Sequence, residues 1–316
     1  MSGKSAPLIL KADATACDVA AERLRAGGLV ALPTETVYGL AARADNESAV
    51  AAIYRAKGRP DFNPLIVHVS SLAQAEALAQ FDDRALALAS RFWPGALTLV
   101  LPLREGASIA PAVTAGLPTI ALRCPAHRVM QAVLAATGLP LAAPSANRSG
   151  GVSPTSAAHV AASLSDAVEL ILDGGECEQG IESTIVALRS QGWSLLRPGP
   201  VTHDQIVEVL EENLDVMTPS GAIEAPGQLA SHYSPGKPLR LNASEAQAGE
   251  FHIGFGAVPG AVTLSAAGDF AEAASRLYAC LHRAAAAAKP RIAVAPVPDE
   301  GIGAAINDRL RRAATL

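Results

Sequence analysis

The segment GGLVALPTETVYGL, residues 27–40, carries the signals that decide the fold. Gly27 and Gly28 end a helical pattern that runs from Asp18 to Ala26, because glycine is a poor helix former and commonly follows a helix. Leu29–Leu32 is a short apolar run typical of a buried strand. Polar residues follow at once, so the segment predicts a helix, a strand and a polar loop at the end of that strand.

The same alternation continues through the first two hundred residues. Asn46 can accept a free backbone N–H and is therefore predicted to begin a helix that runs to Ala56. Further short apolar runs predict strands at Leu65–Val69, Leu97–Leu101, Thr119–Leu122, Leu139–Ala142, Leu170–Leu172, Thr184–Leu188 and Ser194–Leu196. Helical patterns lie between them at Leu72–Ala79, Arg84–Phe92, His127–Ala136 and Ala157–Leu164. Strands interleaved with helices predict an α/β fold in which helices layer a sheet.

The composition changes after Glu212. Between Thr218 and Pro238 the chain has four prolines and three glycines and no apolar periodicity, which favours a linker. Beyond it, strands are predicted at Phe251–Phe255 and Arg291–Ala295, and helices at Phe270–Ala288 and Ala304–Arg312. The predicted organisation is a domain over residues 1–212, a linker over 213–238 and a smaller α/β domain over 239–316.

Composition excludes several classes of protein. Half of the 316 residues are apolar and only 17% are charged, which excludes a disordered chain. The net charge of −5 provides no basic surplus for a general nucleic-acid coat, although a local basic pocket remains possible. No run approaches the ~18 apolar residues that span a bilayer. The four cysteines are far apart, which argues against a zinc knuckle or a disulfide framework. We therefore expect a soluble cytoplasmic protein.

Four polar segments lie where a plain strand–helix scaffold does not need them. The first is PTETVYGL, residues 33–40, whose hydroxyl groups follow a strand and so face the crevice in which open α/β sheets bind ligands. A capped turn, in which the threonines bond to nearby backbone, is the simpler alternative.

The second segment is KGRPDFNPLIVHV, residues 57–69. Lys57 and Arg59 place two cations at a predicted helix C-terminus. They can stabilise the helix dipole, or they can clamp a phosphate, for which arginine supplies a fork and lysine a point charge. His68, inside the following strand, is typical of a hydrogen-bonded core histidine.

The third segment is LPTIALRCP, residues 117–125, in which Arg123 ends an otherwise apolar strand. A buried guanidinium needs an anionic partner, because its desolvation is costly. That partner is either a structural carboxylate or a substrate.

The fourth segment is APSANRSGGVSPT, residues 143–155, which precedes a helix that we expect to be capped near Ser153 or Thr155. Its small residues allow backbone amides to approach an anion, although a generic Ser/Gly loop is the alternative. It is neither a Walker A loop nor a dinucleotide fingerprint. Downstream, GIESTIV and LLRPGPVT add Ser183 and Arg197. With no serine-hydrolase elbow or zinc-binding His pair, these segments indicate an anion-handling, nucleotide-handling pocket.

At these residues the chain resembles the threonylcarbamoyl-AMP synthase family, in its long form. The resemblance rests on PTETVYGL, the pair Lys57 and Arg59, the pair Ser145 and Asn147, and ESTIV. SHYSP in the linker and PVPDEGIGAAINDRLRRAA near the end also match, so the resemblance covers essentially the whole chain. It implies a YrdC-like twisted mixed sheet layered by helices, followed by a smaller Rossmann-like α/β domain.

The resemblance also implies an activity. L-threonine, bicarbonate (or CO2) and ATP would give threonylcarbamoyl-AMP and pyrophosphate, and a separate tRNA threonylcarbamoyltransferase would use the product to form N6-threonylcarbamoyladenosine. Mg2+ is expected with the ATP, whereas no metal-ligating residue is identified. Neither membrane association nor tRNA binding is expected to be required.

Site residues follow from the same resemblance. Lys57 and Arg59 are implied as catalytic residues. The implied threonine-binding residues are Thr34, Thr36, His68, Arg123, Ala143 and Ser183. The implied ATP-binding residues are Lys57, Arg59, Asn63, Thr119, Ser145, Asn147, Ser153, Arg197 and Tyr233.

The linker has a polar and aromatic centre at residues 231–234, SHYS, that a plain spacer does not need. We hypothesise that it closes over the pocket as a lid, with Tyr233 reaching the nucleotide. A solvated tether between domains is the alternative.

Two other functions remain open at this stage. One is a carbamoyl-adenylate-forming enzyme, which would leave the threonine pocket without a purpose. The other is a non-catalytic RNA-binding factor, against which the negative net charge and the scarcity of aromatic residues count.

Overall fold

The structure is a computed structural model, and it describes residues 6–190, 192–210, 224–226 and 232–315. The strands are β1 (Leu8–Lys11), β2 (Val30–Leu32), β3 (Gly39–Arg43), β4 (Ile66–His68), β5 (Leu97–Pro102), β6 (Thr119–Arg123), β7 (Leu141–Ala142), β8 (Leu170–Asp173), β9 (Thr184–Arg189), β10 (Gly192–Arg197), β11 (Leu239–Arg240), β12 (Glu250–Gly254), β13 (Val262–Thr263) and β14 (Arg291–Val294). The helices are α1 (Ala14–Arg25), α2 (Glu47–Lys57), α3 (Leu72–Glu76), α4 (Asp83–Phe92), α5 (Pro111–Thr114), α6 (Arg128–Thr137), α7 (Ala157–Leu164), α8 (His203–Leu210), α9 (Phe270–Ala286) and α10 (Ile302–Ala314).

The first ten strands form one mixed sheet in the order β1-β8-β2-β3-β7-β4-β6-β5-β9-β10. Parallel pairs such as β4 with β6 alternate with antiparallel pairs such as β5 with β6. In this register His68 lies beside Arg123, which brings two distant sequence segments together on neighbouring strands.

The two faces of the large sheet are covered differently. On one face, side chains such as Ala31, Val67 and Leu122 pack in one cluster with residues of α2, α4, α5, α7 and α8. Because side chains alternate along a strand, Val30 and Leu32 point to the other face and pack with α1 and α6. These helices cover only part of that second face.

The rest of the second face carries a cluster to which, among the described residues, no helix contributes. Its members are strand residues and one residue of the 224–226 segment: Ile66, Val100, Ala121, Ile185, Ala187, Leu196 and Ala225. This buried patch of sheet lies beside His68 and Arg123, which share the faces of Ile66 and Ala121.

The last four strands form a separate parallel sheet in the order β11-β14-β12-β13. Its core packs against α9 and α10, and it also contains Val37, Val152 and Ile181 from the first two hundred residues. The two sheets are therefore joined by a shared apolar cluster.

The predicted alternation of strands and helices is confirmed, with local differences. Asn46 caps α2 as predicted, accepting from the Ala49 amide. Helix α1 begins at Ala14 rather than Asp18, because Asp13 caps it. The cap of α7 is Ser156, one residue after Thr155, near which it was predicted. Strands β1, β3, β11 and β13 and helices α5 and α8 were not predicted from the sequence.

Much of the predicted linker, residues 213–223 and 227–231, lies outside the described residues, and the proposed domain boundaries stay predictions. All four cysteines are buried and free. Among the described residues, no helix combines the length and the apolar character needed to cross a membrane.

Gly180 marks the closest approach between the large sheet's loops and α9, and it supplies a stability test. It has φ +66°, and a Cβ built on it would lie 2.4 Å from the Ser275 Cα. Gly106 has a similar φ of +75° but open space around it. The backbone strain of alanine at positive φ costs about 1–2 kcal/mol at either site, whereas overpacking adds about 1–3 kcal/mol at Gly180 alone. Urea unfolding of Gly180→Ala and Gly106→Ala should show this difference; equal losses would contradict the close contact.

Candidate functional site

A pocket lies on this patch of the large sheet, under residues 224–226 and 232–233. It is a small cavity, with a volume of about 50 Å³. It is lined by Thr34, Thr36, Val37, Gly39, Arg59, Ile66, His68, Arg123, Ala143, Pro144, Ser145, Glu182, Ser183, Arg197, Pro226, His232 and Tyr233.

The PTETVYGL segment forms a tight buried turn after β2. The Thr34 hydroxyl donates to the Val37 carbonyl at 2.6 Å and accepts from the amides of Thr36 and Val37 at 3.2 Å. The Thr34 and Thr36 hydroxyls lie 2.8 Å apart, and both residues line the pocket. The turn therefore combines the two alternatives that the sequence left open: it is locally capped, and it presents hydroxyls to the site.

Arg123 finds its anionic partner within the protein. Its Nη2 donates to Glu35 Oε1 at 2.6 Å, and both side chains are buried. Nη1 donates to the Thr36 hydroxyl at 2.8 Å, and Nε donates to the Gly95 carbonyl at 3.1 Å. Burial alone would raise the pKa of Glu35, but the charge and hydrogen bond of Arg123 outweigh it and lower that pKa. The structure thus supplies a structural carboxylate, one of the two partners that the sequence left open.

Arg59 and Arg197 are the other two arginines of the pocket, and both are buried. Arg59 donates to the carbonyls of Asn63 and Pro64, and Arg197 donates to Ser183 and to the Pro226 carbonyl. Burial and the nearby Arg197 lower the pKa of Arg59 to about 10, so it remains protonated at neutral pH. Among the described residues, neither guanidinium forms a salt bridge, so the pocket holds two cations that have only neutral partners.

Lys57 does not line this pocket. It is the last residue of α2, but it is buried, and its Nζ donates to the Ser145 carbonyl at 2.6 Å and to the Asn147 carbonyl. Burial and the charge of Arg59 lower the pKa of Lys57 well below its ordinary value. Lys57 lies at a helix C-terminus as predicted, but its side chain is buried and holds the loop of residues 143–155 through these two carbonyls.

Several buried polar atoms near the pocket have no partner within the described residues. They are Asn63 Oδ1, His68 Nδ1 and Asn147 Oδ1. Buried polar atoms are nearly always hydrogen-bonded, so orphans next to a pocket indicate a bound polar molecule. His68 is buried as predicted, but its Nδ1 is not satisfied by the core.

Glu182 is the carboxylate of the pocket wall. It accepts from the Ser153 hydroxyl at 2.6 Å, from the Tyr278 hydroxyl at 2.8 Å and from Arg309 Nε at 2.9 Å. Burial alone would raise its pKa, but Arg309 and Arg197 lower the pKa of Glu182 to about 2. The neighbouring Ser183 hydroxyl lies 2.7 Å from that of Thr98 and also accepts from Arg197.

The described part of the predicted linker covers the pocket. Tyr233 is 1% exposed, and its ring centre lies 5.6 Å from that of Tyr278 in α9. The Ser234 amide donates to the Gly150 carbonyl at 2.8 Å, and the His232 amide donates to the Arg312 carbonyl. Burial lowers the pKa of His232 to about 3, so this histidine is neutral at pH 7.

Two family models match the chain. The model of the Sua5/YciO/YrdC family, described as telomere recombination, matches residues 22–199. A model described as the C-terminal domain of threonylcarbamoyl-AMP synthase matches residues 201–315.

The chain belongs to the Sua5/YciO/YrdC family.

Similar proteins agree with this family. Threonylcarbamoyl-AMP synthase from Bacillus subtilis is 46% identical over 226 residues, which are 70% of this chain and 65% of that protein. The protein of the same name from Pyrococcus abyssi is 46% identical over 222 residues, 69% of this chain and 65% of that protein. The chain thus aligns with just under two thirds of these curated relatives. The solved structure of P. abyssi Sua5 complexed with L-threonine is 36% identical, covers 98% of this chain and 97% of that one, and has a TM-score of 0.88.

The family predicted from the motifs is therefore confirmed, and so is the fold class of a mixed sheet plus a smaller parallel-sheet domain. All six of the predicted threonine-binding residues line the pocket. Of the predicted ATP-binding residues, the pocket is lined by Arg59, Ser145, Arg197 and Tyr233. Those that do not line it are Lys57, Asn63, Thr119, Asn147 and Ser153.

Two carboxylates of this Sua5/YciO/YrdC site were not named from the sequence. Glu35 and Glu182 lie inside the motifs PTETVYGL and GIESTIV, so a signal was present. Their arginine partners, Arg123 and Arg309, are 88 and 127 residues away, and only the fold reveals the pairing. His232 was quoted within the linker but was not assigned to the site.

The expected Mg2+ finds no resident site in these residues. Mg2+ usually binds one or two carboxylates together with substrate phosphates, but Glu35 and Glu182 are both paired with arginines. The described residues hold no group of three His, Cys, Asp or Glu side chains that could bind a metal. Mg2+ therefore stays a prediction, and it fits only as an ion that arrives with ATP.

The burial of His68 predicts a pH dependence of stability. Burial lowers its pKa to about 3, so between pH 6.5 and 3 the unfolded chain binds a proton that the folded chain does not. This contribution to stability is present at neutral pH and is lost as the pH falls, by about 2 kcal/mol between pH 7 and pH 5. His68→Gln should lose that much less over this range in urea unfolding. An unchanged pH dependence in His68→Gln would contradict the assignment.

Proposed function

We propose that the protein is a threonylcarbamoyl-AMP synthase that combines L-threonine, bicarbonate or CO2 and ATP. Threonine and bicarbonate give the threonine carbamate and water. The carbamate and ATP then give threonylcarbamoyl-AMP and pyrophosphate. Family membership, the names of the curated relatives and the L-threonine in the P. abyssi Sua5 structure support this reaction.

The observation that carries the proposal is the pair of buried arginines that form no salt bridge with any described residue. Arg59 and Arg197 lie near each other in the pocket, and their hydrogen bonds within the described residues go to neutral oxygen atoms. Like charges buried together are unfavourable unless an anion joins them, so the pocket favours a polyanion such as a triphosphate. A fork of guanidinium donors also matches phosphate geometry.

The pocket also fits a small polar amino acid. Thr34, Thr36 and Ser183 contribute hydroxyls, and His68 contributes a neutral imidazole whose Nδ1 has no partner among the described residues. Arg123 is paired with Glu35, so a substrate carboxylate would share this guanidinium with Glu35 and use its remaining N–H groups.

The chemistry requires positioning rather than an enzyme nucleophile. The carbamate oxygen of the substrate forms the new bond to the α-phosphorus while the bond to pyrophosphate breaks. Arg59 and Arg197 stabilise the negative charge that grows on the departing pyrophosphate, as preorganised cations do in phosphoryl transfer. Lys57 contributes by holding the loop of residues 143–155 through its two carbonyl contacts.

The segment over the pocket protects the product. Carbamates and mixed anhydrides react with water, and covering a site excludes water from such intermediates. Tyr233 and Pro226 line the pocket, and Ser234 bonds to Gly150 in the loop beneath, which supports a lid rather than a solvated tether. We further propose that the product passes to a separate tRNA threonylcarbamoyltransferase in the cytoplasm, and that the synthase itself needs no tRNA.

The proposed reaction predicts the dependence of pyrophosphate release on each substrate. Release should occur with threonine, bicarbonate and ATP together, and it should fall to background when any one is omitted. A coupled pyrophosphate assay measures this directly. Equal release without threonine would contradict the proposal and favour a carbamoyl-adenylate-forming enzyme.

Arg59 and Arg55 provide a matched pair of substitutions. Arg59 lines the pocket just beyond the end of α2, whereas Arg55 is exposed in the last turn of α2. Loss of a charge-assisted contact with phosphate costs roughly 1.5–3 kcal/mol, so Arg59→Ala should lower kcat/KM for ATP about ten- to a hundredfold. Arg55→Ala should leave it unchanged. Similar values for both variants would show that the arginine serves only the helix end.

A further inference from the structure

Arg309 of α10 connects the C-terminal domain to the pocket. Its side chain is fully buried. Nε donates to Glu182 Oε2 at 2.9 Å, and Nη2 donates to the Glu182 carbonyl at 3.3 Å. Nη1 donates to the Pro198 carbonyl at 2.8 Å and to Asp308 at 2.9 Å. Arg309 therefore bonds to residues at both ends of the β9–β10 hairpin, Glu182 and Pro198. This hairpin carries Arg197.

The Glu182 carboxylate faces two arginines but bonds to one. Arg309 forms a salt bridge with it, whereas Arg197 bonds to Ser183 and to the Pro226 carbonyl. Arg309 does not line the pocket, but both Glu182 and Arg197 do. Because Arg309 neutralises Glu182, the positive charge of Arg197 remains available to an anion in the pocket.

Resting on the proposed function, we propose that Arg309 is a positioning residue for ATP. It holds Glu182 in a neutral pair and so keeps Arg197 free for the phosphates. Through Arg309, the C-terminal domain thereby places one positive charge next to the pocket, although Arg309 itself does not line it. Without Arg309, the buried Glu182 carboxylate would turn to Arg197, and the wall of the pocket would keep only Arg59 of its two cations without a salt bridge.

This role predicts opposite effects for the two partners. Arg309→Gln should raise the Kd for ATP by about tenfold or more, since a unit charge at a partly buried site is involved. Glu182→Gln should lower the Kd, because Arg309 keeps Asp308 as a partner and the wall gains positive charge. If Arg309 and Glu182 acted only as structural supports, both substitutions would weaken ATP binding.

The double variant and two controls complete the design. Glu182→Gln combined with Arg309→Gln should return the Kd to within about threefold of wild type, because the surplus negative charge is gone. Arg309→Lys, which keeps the charge, should lie closer to wild type than Arg309→Gln. Arg311→Gln alters an exposed arginine of the same helix and should have no effect.

The Kd for ATP is measured by calorimetry on the full chain, without threonine or bicarbonate. A double variant as weak as Arg309→Gln, or a Glu182→Gln variant that binds ATP less tightly, would overturn the inference. If Arg309→Gln does not fold, two results still test the inference. They are the direction in which Glu182→Gln changes the Kd for ATP and the Kd of the double variant. A wild-type protein that binds ATP but makes no threonylcarbamoyl-AMP would refute the proposed reaction, while the Kd series would still decide the role of Arg309.

Discussion

Buried positive charge without matching negative charge is the constraint on which the site depends. Removing a guanidinium from water costs several kcal/mol unless hydrogen bonds and an anion replace its hydration. Arg59 and Arg197 donate hydrogen bonds to backbone carbonyls and to the Ser183 hydroxyl, but they form no salt bridge within the described residues. The two buried cations therefore favour the binding of an anion in an otherwise well-packed region.

The layering of the large sheet makes this arrangement possible. Within the described residues, helices pack on one face and on part of the other, and the remaining patch consists of strand side chains such as Ile66 and Ala121 together with Ala225. His68 and Arg123 stand on that patch because they lie two residues along the same strands. The parallel-sheet domain and residues 224–226 and 232–233 then enclose the patch, so ligand contacts come from regions that are distant in sequence.

Sequence patterns predicted features that depend on neighbouring residues. They missed features that depend on residues far apart in the sequence. The Asn46 cap and the α7 interval 157–164 follow from short-range capping and periodicity, and the structure has both. Strand β3 was missed because GLAAR has no β-branched residue, and its place depends on pairing with β2 and β7. The burial of Lys57 was missed because its acceptors lie 88 and 90 residues further along the chain. The motif resemblance identified residues of the pocket, but it did not show which of them line the pocket and which support it from outside, as Lys57 does.

The apolar cluster shared by the two sheets has a consequence for cooperativity. Val37, Val152 and Ile181 pack in the same cluster as the core of α9 and α10, so opening either domain exposes apolar surface of the other. Each domain thus stabilises its neighbour, and the free energy of separating them adds to the cost of unfolding either one. Heat or urea should then melt the chain in one concerted transition rather than in two, with a denaturant m-value set by the surface of the whole molecule.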